Sequence, residues 1–371
     1  MKINPLSSFF LLALLALAAC ARSEITINVP PSKSEPVSSP SVMVSNPPTP
    51  TKPGLLVPTI TATPDPQVTL LAVGDIMLAR TIGDQVLEQG PQIVFAGVQS
   101  VMDSADIRVG NLECAITGNG QPDQKSFTLK APLETAQALS MAGFDVLSLA
   151  NNHAMDYGFA GLAETQATLR KLGIATVGAG VNNVSAHAPV TITKNGLRLA
   201  FLAYLDVLPE RSGFDPHTWI ATETSPGIAW ASPEQIQADV AAARLEADLV
   251  IVMLHGGIEI TDVINNISNE QRSEAHAAID AGATLVLGSH PHVLQQIERY
   301  HGGLIAYSLG NFVFDQYDGV ANATILLRVL LTRNGIQEYD YVPALIEHGL
   351  PHVIQANLVP AIGTLVAPAS P

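Results

Sequence analysis

Three histidines follow two apolar runs that have the length and β-branched content of buried strands. His255 comes directly after the run 249–254, and His290 and His292 come shortly after the run 284–287. Ligands bind at the carboxyl ends of strands in open α/β sheets, so these imidazoles are expected in one cleft. A lone histidine in such a loop more often caps a backbone group. The His-x-His spacing with a third strand-end histidine favours a metal site instead.

Three more residues of metal-ligand type follow strand-like runs upstream, and these are Asp75, Glu113 and Asn152. Mixed carboxylate, amide and imidazole ligands suit two divalent ions of the Mn, Fe or Zn type rather than a soft thiolate site. A two-metal centre needs one carboxylate shared by ions roughly 3.5–4 Å apart, and Glu113 is the natural bridge. A polar rim around an apolar binding cleft is the alternative interpretation of these residues.

The composition of the 371-residue chain limits the partners that it can bind. Its formal net charge is −15, which argues against nucleic acid because phosphate binding needs a basic surface. Aromatic residues make up 5% of the chain, so no stacking platform for bases is indicated. An anionic polymer could bind only if metal ions, or an arginine such as Arg80, offset the repulsion.

The amino terminus has the features of an export signal. Lys2 precedes a short apolar run that ends at Cys20, and Leu17-Ala18-Ala19-Cys20 resembles the lipobox of bacterial lipoproteins. That resemblance implies cleavage before Cys20, acylation of its thiol, and an extracytoplasmic protein anchored to a membrane of the bacterial cell envelope. The alternatives are an ordinary secretory signal or a transmembrane anchor, although the run is too short to span a bilayer comfortably.

The remaining chain divides by composition into three parts. Residues 21–66 are rich in Pro, Ser and Thr and are expected to form a disordered tether after the 1–20 signal peptide. Residues 67–345 form the folded domain, and residues 346–371 are left unassigned. Strand and helix patterns alternate first and consecutive strands follow, which predicts an α/β fold with a mixed sheet or two sheets. The later strands are expected at 293–300 and 304–309, and helices at 132–142, 158–172, 232–246 and 269–281.

Five motifs in combination resemble the CapA family of bacterial capsule or poly-γ-glutamate synthesis proteins, over roughly residues 67–345. They are Gly74-Asp75-Ile76-Met77-Leu78-Ala79-Arg80, Asn111-Leu112-Glu113, Ala150-Asn151-Asn152-His153-Ala154-Met155-Asp156-Tyr157-Gly158, His255-Gly256-Gly257-Ile258-Glu259, and Gly288-Ser289-His290-Pro291-His292 continuing to Gln316. CapA proteins are in turn similar to calcineurin-like metallophosphoesterases. The resemblance implies an αββα sandwich with mixed sheets and a two-metal site.

The resemblance also implies a role for each motif residue. Asp75, Glu113 and His292 would hold one ion, and Glu113, Asn152, His255 and His290 would hold the other. His153 would protonate a leaving group or stabilise the transition state, with Asp156 and Arg80 as further catalytic candidates. Two positions depart from the phosphoesterase pattern: Met77 replaces the histidine of Asp-x-His, and Ala154 replaces the acid that usually follows Asn-His.

Three hypotheses of function follow. The first is a metal-dependent hydrolase or transferase acting on a cell-surface polymer, either poly-γ-glutamate or a capsular polysaccharide. The second is a metal-dependent phosphoesterase, and the third is a non-catalytic protein that binds the polymer during its assembly. The expected partners are a membrane reached through the lipid anchor, an anionic cell-surface polymer, and a membrane complex for synthesis or export.

Overall fold

The computed structural model describes residues 65–259, 266–315 and 319–355. The predicted signal peptide, the tether up to residue 64 and the end of the chain after residue 355 lie outside these residues. The helices are α1 Arg80–Gln89, α2 Gln99–Met102, α3 Ala136–Met141, α4 Gly158–Lys171, α5 Asn183–His187, α6 Pro233–Ala243 and α7 Asn269–Asp280. The strands are β1 Gln67–Ile76, β2 Ile107–Leu112, β3 Ala115–Ile116, β4 Lys130–Ala131, β5 Val146–Ser148, β6 Ala175–Val177, β7 Ala179–Gly180, β8 Val190–Lys194, β9 Leu197–Asp206, β10 Gly227–Ile228, β11 Leu249–Gly256, β12 Leu285–Ser289, β13 Ile297–Tyr300, β14 Gly303–Ala306, β15 Asn311–Val313, β16 Ala323–Thr332, β17 Gly335–Glu347 and β18 Leu350–Val353.

Two mixed sheets form the centre of the domain. The first has the order β18-β17-β16-β1-β2-β5-β6, with β15 pairing in parallel with the end of β1. Its members β1, β2, β5 and β6 are parallel, whereas β16, β17 and β18 are antiparallel to their neighbours. The second has the order β13-β14-β12-β11-β9-β8, with a parallel centre and antiparallel edges.

The two faces of the second sheet are buried against different partners because side chains alternate along a strand. Phe201, Ile251 and Leu285 lie in one core with the first sheet. Leu202, Val252 and Val286 lie in a second core with the apolar faces of α6 and α7. Helices α1, α3 and α4 contribute apolar side chains to the core of the first sheet. This arrangement confirms the predicted α/β class and the αββα sandwich.

The helix signals agree with the structure better than the late strand signals. Ser232 accepts a hydrogen bond from the backbone of Gln235 and so caps α6, as its position before Pro233 predicts. The strand expected over 293–300 is wrong for its first half, since only Ile297–Tyr300 is a strand. The preceding residues form an irregular loop, and the expected strand 304–309 is likewise shortened to Gly303–Ala306. The first sheet also continues past residue 345, because β17 ends at Glu347 and β18 pairs with it.

A pair of carboxyl groups, the buried Glu274 and the half-buried Asp206, joins α7 to the end of β9. Glu274 is 5% exposed and hydrogen-bonds Asp206. Burial first, and then the negative charge of Asp206, raise the pKa of Glu274 from an ordinary value of 4.5 to about 9. A group with a raised folded-state pKa stabilises the fold fully below its unfolded pKa, and this contribution is lost as the pH rises towards the folded value.

We therefore expect Glu274→Gln to stabilise the domain at pH 7.5 by about 2–4 kcal/mol and to have little effect at pH 4. Glutamine keeps a hydrogen-bond donor towards Asp206 without the cost of keeping a carboxyl group protonated above its unfolded-state pKa. Urea unfolding at both pH values measures the difference. Glu246→Gln, at an exposed position outside this pair, is the matched control. An effect of equal size at both pH values would contradict this origin.

Candidate metal centre

Asp75 and Glu113 meet at one edge of the first sheet because β1 and β2 are parallel neighbours. Asp75 lies opposite Asn111 in the register of these strands, and Glu113 follows the end of β2. Both carboxyl side chains are fully buried. Only glycine fits at position 74, where a Cβ atom would lie 1.9 Å from the carbonyl oxygen of Gly310. The close approach brings the loop before β15 beside these two acids.

His255 is delivered to the same place by the second sheet. It lies near the carboxyl end of β11 and is 1% exposed. Its Nδ1 lies 2.9 Å from the hydroxyl of Ser289, and its Nε2 lies 2.9 Å from Oδ1 of Asn152. The ring is therefore held on one side by the neighbouring strand β12, and its other nitrogen is directed at the candidate ligands.

His290 and His292 lie in the irregular loop after β12. Their φ angles are 95° and 59°, a left-handed conformation that non-glycine residues rarely adopt and that clusters at functional sites. The backbone NH of His290 donates to Oδ2 of Asp75 at 3.2 Å. Nδ1 of His292 lies 2.8 Å from Oδ1 of Asn311, which leaves Nε2 free to act as a ligand atom.

Two groups of buried side chains in the described structure could each hold a metal ion. They are Glu113 with His255 and His290, and Asp75 with Glu113 and His292, and the ligand atoms within each group lie within 4.8 Å of one another. Oε1 of Glu113 is 3.9 Å from Nε2 of His255 and 3.8 Å from Nε2 of His292. These separations are too long for hydrogen bonds, but they suit ligands that share an ion with bonds of about 2 Å.

Unsatisfied polar atoms support the fit of a cation. Neither carboxylate oxygen of Glu113 has a hydrogen-bond donor among the described residues, and Nδ1 of His290 has no partner there. Glu113 can hydrogen-bond its neighbour Asp75 only by sharing a proton with it. A buried carboxylate left in this state costs several kcal/mol, which a divalent cation at this position would offset. The residues present therefore fit a metal ion.

The pKa shifts of the candidate ligands are those expected of buried groups that lack a neighbouring cation. Burial raises the pKa of Asp75, and burial together with the charge of Asp75 raises the pKa of Glu113 well above its ordinary range. Burial, with the charge of neighbouring histidines, lowers the pKa of His255 well below its ordinary value and that of His290 to about 3. Neutral imidazoles are the form that binds metals, so the histidines are ready to act as ligands.

Met77 does not take the place of the missing histidine. It is fully buried, and its sulfur accepts a hydrogen bond of 3.1 Å from the backbone NH of Ala79. A thioether is also a poor ligand for a hard divalent ion. The group around Asp75 therefore offers fewer protein ligands than the group around His255, which Asn152 adjoins.

His153 has a buried acid partner despite the alanine that follows it. Nδ1 of His153 lies 2.7 Å from Oδ2 of Asp156, and the backbone NH of Leu129 donates to the same oxygen at 2.6 Å. Because Nδ1 is engaged, Nε2 is the ring nitrogen available to the cleft that His153 lines. Burial lowers the pKa of His153, and the charge of Asp156 opposes that shift. The acid partner of His153 is therefore Asp156, three residues after it in sequence, and not the residue at position 154.

The ligand groups open into a cleft of about 560 Å³, which Asn152, His153, His290 and His292 line. Arg80 stands at its rim, 40% exposed, where it pairs with Asp315 and lies 5.7 Å from the ring of Phe314. Arg211 also lines the cleft, is exposed, and has no ion-pair partner among the described residues. Exposed apolar side chains from three loops complete the wall: Phe127, Leu208 and Ile258.

Several residues that support the site were not identified from the sequence. The amide of Asn111 donates to Asp75 at 2.8 Å, and the amide of Asn151 donates to Asn111 at 3.0 Å. Asn111 lies two residues before Glu113, and Asn151 lies directly before Asn152. Their proximity to predicted ligands in the motifs is the sequence signal that could have identified them. Asn311, which holds His292, and Lys125, which pairs with Asp156 at 2.9 Å, carry no such local signal.

Two curated proteins and one solved structure are similar to this chain. The chain is 34% identical over 288 residues to the PGA biosynthesis protein CapA of Bacillus subtilis (strain 168), covering 77% of this chain and 73% of that protein. It is 35% identical over 300 residues to the capsule biosynthesis protein CapA of Bacillus anthracis, covering 79% of this chain and 71% of that protein. A solved structure of a hypothetical protein from Thermus thermophilus has a TM-score of 0.47 at 18% identity, covering 74% of this chain and 98% of that one.

Among the described residues, no helix is long and apolar enough to cross a membrane. Residues 69–316, which include every candidate ligand and the His153–Asp156 pair, match the family described as bacterial capsule synthesis protein PGA_cap. That match covers more than half of the chain, and the two relatives above exceed 30% identity over most of their length. The resemblance to CapA proteins is thereby confirmed, and the chain belongs to the bacterial capsule synthesis protein PGA_cap family.

Proposed function

We propose that this protein takes part in capsular polymer synthesis at the cell envelope, through a metal-dependent hydrolase or transferase site that acts on an anionic polymer such as poly-γ-glutamate. Family membership supports the role in capsule synthesis. One observation carries the enzymatic part: both oxygens of the buried Glu113 lack donors among the described residues while two groups of ligands share that carboxylate. A carboxylate so placed is what a two-metal centre requires.

The ligands divide between two ions of the Mn, Fe or Zn type. Asp75, Glu113 and His292 would hold one, and Glu113, Asn152, His255 and His290 would hold the other. When bound, the ions supply positive charge that polarises the bond under attack and activates a water nucleophile. Asn111 orients Asp75, Ser289 orients His255, and Asn311 orients His292, so these three ligands are positioned by neighbouring side chains.

His153 is the proposed proton donor to the leaving group. Asp156 accepts from Nδ1–H and so orients the ring with Nε2 towards the cleft. Donation from Nε2 uses the doubly protonated imidazolium, which the carboxylate of Asp156 stabilises. The burial that lowers the pKa of His153 makes its proton easier to transfer, and the partner carboxylate keeps part of its basicity. The same pairing of an imidazole with a buried acid orients the general base in other hydrolases.

The walls of the cleft suit a chain of alternating carboxylates and methylene groups. The protein carries a formal net charge of −15, so an anionic chain needs local cations. Arg211 provides one at the rim without an ion-pair partner among the described residues, and Arg80 provides another that pairs with Asp315. Phe127 and Leu208 are 69% and 73% exposed and offer apolar contacts that a γ-linked glutamyl backbone can match.

A phosphoesterase activity is the second candidate, favoured by the arrangement of His153 beside the two ligand groups. The test uses the purified full chain, with metal analysis followed by assays on γ-linked oligoglutamate and bis(p-nitrophenyl) phosphate. We expect bound divalent metal and chelator-sensitive turnover of the γ-glutamyl chain. Turnover of the phosphodiester alone would favour the second candidate. Metal-dependent binding of the polymer without turnover of either compound would favour the non-catalytic assembly role.

The proposal extends to the location of the protein. Acylation of Cys20 would anchor the domain to the cell-envelope membrane, where a synthesis or export complex could be met. We expect Cys20→Ser to lose labelling by radioactive fatty acid and to leave the membrane fraction or remain uncleaved. Labelling and fractionation unchanged from the parent protein would contradict lipid attachment.

A further inference from the structure

Lys125 has a buried side chain that contacts residues of the candidate metal centre. Lys125 belongs to the loop between β3 and β4, and its side chain is 0% exposed. Ammonium groups are strongly hydrated and are rarely buried unless they are paired. The position of this side chain therefore requires an account of what compensates it.

Three oxygen atoms surround the ammonium group. Asp156 Oδ1 lies 2.9 Å from Nζ, Glu210 Oε1 lies 3.4 Å away, and the backbone carbonyl of Asn152 accepts a hydrogen bond. The two carboxylate oxygens are ion-pair contacts that offset the charge of the ammonium, and the Asn152 carbonyl is its hydrogen-bond acceptor. The rings of Phe214 and Trp219 lie 5.2 Å and 4.9 Å from Nζ and add cation–π contacts.

Each of these partners belongs to a different part of the centre. Asn152 places its side-chain oxygen 2.9 Å from Nε2 of His255, as a candidate ligand. Asp156 holds Nδ1 of His153 with its other carboxylate oxygen. Glu210 lies in the segment 207–219, which forms one wall of the cleft.

We propose that Lys125 is a positioning residue of this centre, which joins the ligand Asn152 and the acid Asp156 to the cleft wall 207–219. The role of Asn152 as a ligand rests on the proposed function, whereas the junction of the three segments does not. Lys125 also precedes Ser126 and Phe127, which line the cleft, so the same residue places both walls. Its effect on chemistry is exerted through other residues and not by contact with substrate.

The test compares full-length Lys125→Met and Lys125→Arg with the parent chain. Lys130→Met is the matched control, since Lys130 is exposed in the same region and its ammonium lies 4.9 Å from the ring of Tyr157. We expect Lys125→Met to weaken the tighter metal-binding step roughly 10–100-fold, the usual effect of removing a partner of a ligand. Lys125→Arg should recover part of that loss, and Lys130→Met should not differ from the parent.

Folding is controlled separately because Lys125→Met leaves a buried carboxylate without its cation. The substitution is therefore repeated in the Asp156→Asn background. In that double variant neither the ammonium charge of residue 125 nor the carboxylate charge of residue 156 is present. We expect the double variant to bind metal at least roughly tenfold more weakly than Asp156→Asn alone, because the contact with the Asn152 carbonyl is lost. Equal affinities in that pair would overturn the positioning role.

Hydrogen exchange separates this inference from the proposed function. We expect faster amide exchange in both 151–157 and 207–219 in Lys125→Met, with or without metal, and not in Lys130→Met. A parent chain that binds no metal would refute the proposed function. The exchange result would still show whether Lys125 joins the segments 151–157 and 207–219. Unchanged exchange in either segment would overturn the inference even if the parent chain binds metal and turns over substrate.

Discussion

Glu113→Gln is expected to abolish both metal-binding steps of this protein. Its carboxylate belongs to both candidate ligand groups and has no donor among the described residues, so the substitution breaks no hydrogen bond from a donor there. Glutamine has nearly the same shape but only one oxygen and no charge, and it cannot bridge two cations. We expect affinity for divalent ions to fall by at least about 100-fold, and turnover to be lost with it.

Isothermal titration of the metal-free chain measures this loss, and thermal unfolding checks the fold. Because burial and the charge of Asp75 raise the pKa of Glu113, the metal-free variant should be at least as stable as the parent. Glu134→Gln is the matched control, since Glu134 is exposed and belongs to neither ligand group. If Glu113→Gln retained both binding steps, the residues would instead be interpreted as a polar rim around a binding cleft that holds no metal.

The same titration is expected to show two unequal steps in the parent chain. The group around Asp75 lacks a ligand at Met77, whose sulfur accepts a hydrogen bond from the backbone NH of Ala79, whereas the group around His255 adjoins Asn152. His255→Ala or His290→Ala should therefore remove the tight step, and His292→Ala should weaken mainly the other. The weaker site keeps an open coordination position, which a catalytic metal needs. Two equal affinities, or a tight step that survives both His255→Ala and His290→Ala, would reject this division.

His153→Gln is expected to reduce kcat by about 10²–10⁴-fold while leaving metal affinity unchanged. The imidazole lines the cleft and pairs with Asp156, but it belongs to neither group of candidate ligands. A loss confined to kcat would identify a group that acts in the chemical step rather than in assembly of the centre. Steady-state kinetics on the substrate found active, together with metal titration, measure both quantities.

His187→Gln provides a control of the same geometry in another place. Nδ1 of His187 lies 2.8 Å from Oδ2 of Asp239, and its side chain is 11% exposed, as is that of His153. Loss of that pair should leave kcat unchanged. Equal loss of activity in both variants would indicate a general structural effect, and loss of metal with His153→Gln would make it a ligand instead.

Local sequence patterns were sufficient for the fold class and for the candidate ligands. The apolar runs before Asp75, Glu113 and His255 place each of them at a strand end, because a buried strand must be apolar on both faces and polar residues begin where burial stops. Parallel pairing then brings strand ends to one edge. The capping signal at Ser232 and the glycine after α4 are likewise local, since a helix end must satisfy its own backbone groups.

Tertiary structure decided which of these residues meet and what holds them. The three-residue strand β15 pairs with β1 across the fold and so carries Asn311 to His292, a contact between segments that no local pattern specifies. His290 and His292 were expected in a turn before a strand over 293–300, but the loop extends to residue 296. Contacts with Asp75 and Asn311 from other strands hold its left-handed residues. Lys125 is a charged residue in a polar loop by sequence, and it is buried only because oxygens from two distant segments, 151–157 and 207–219, surround it. The periodicity of apolar residues indicates which segments are buried. The groups that neutralise a buried charge come from distant parts of the chain, and only the fold brings them together.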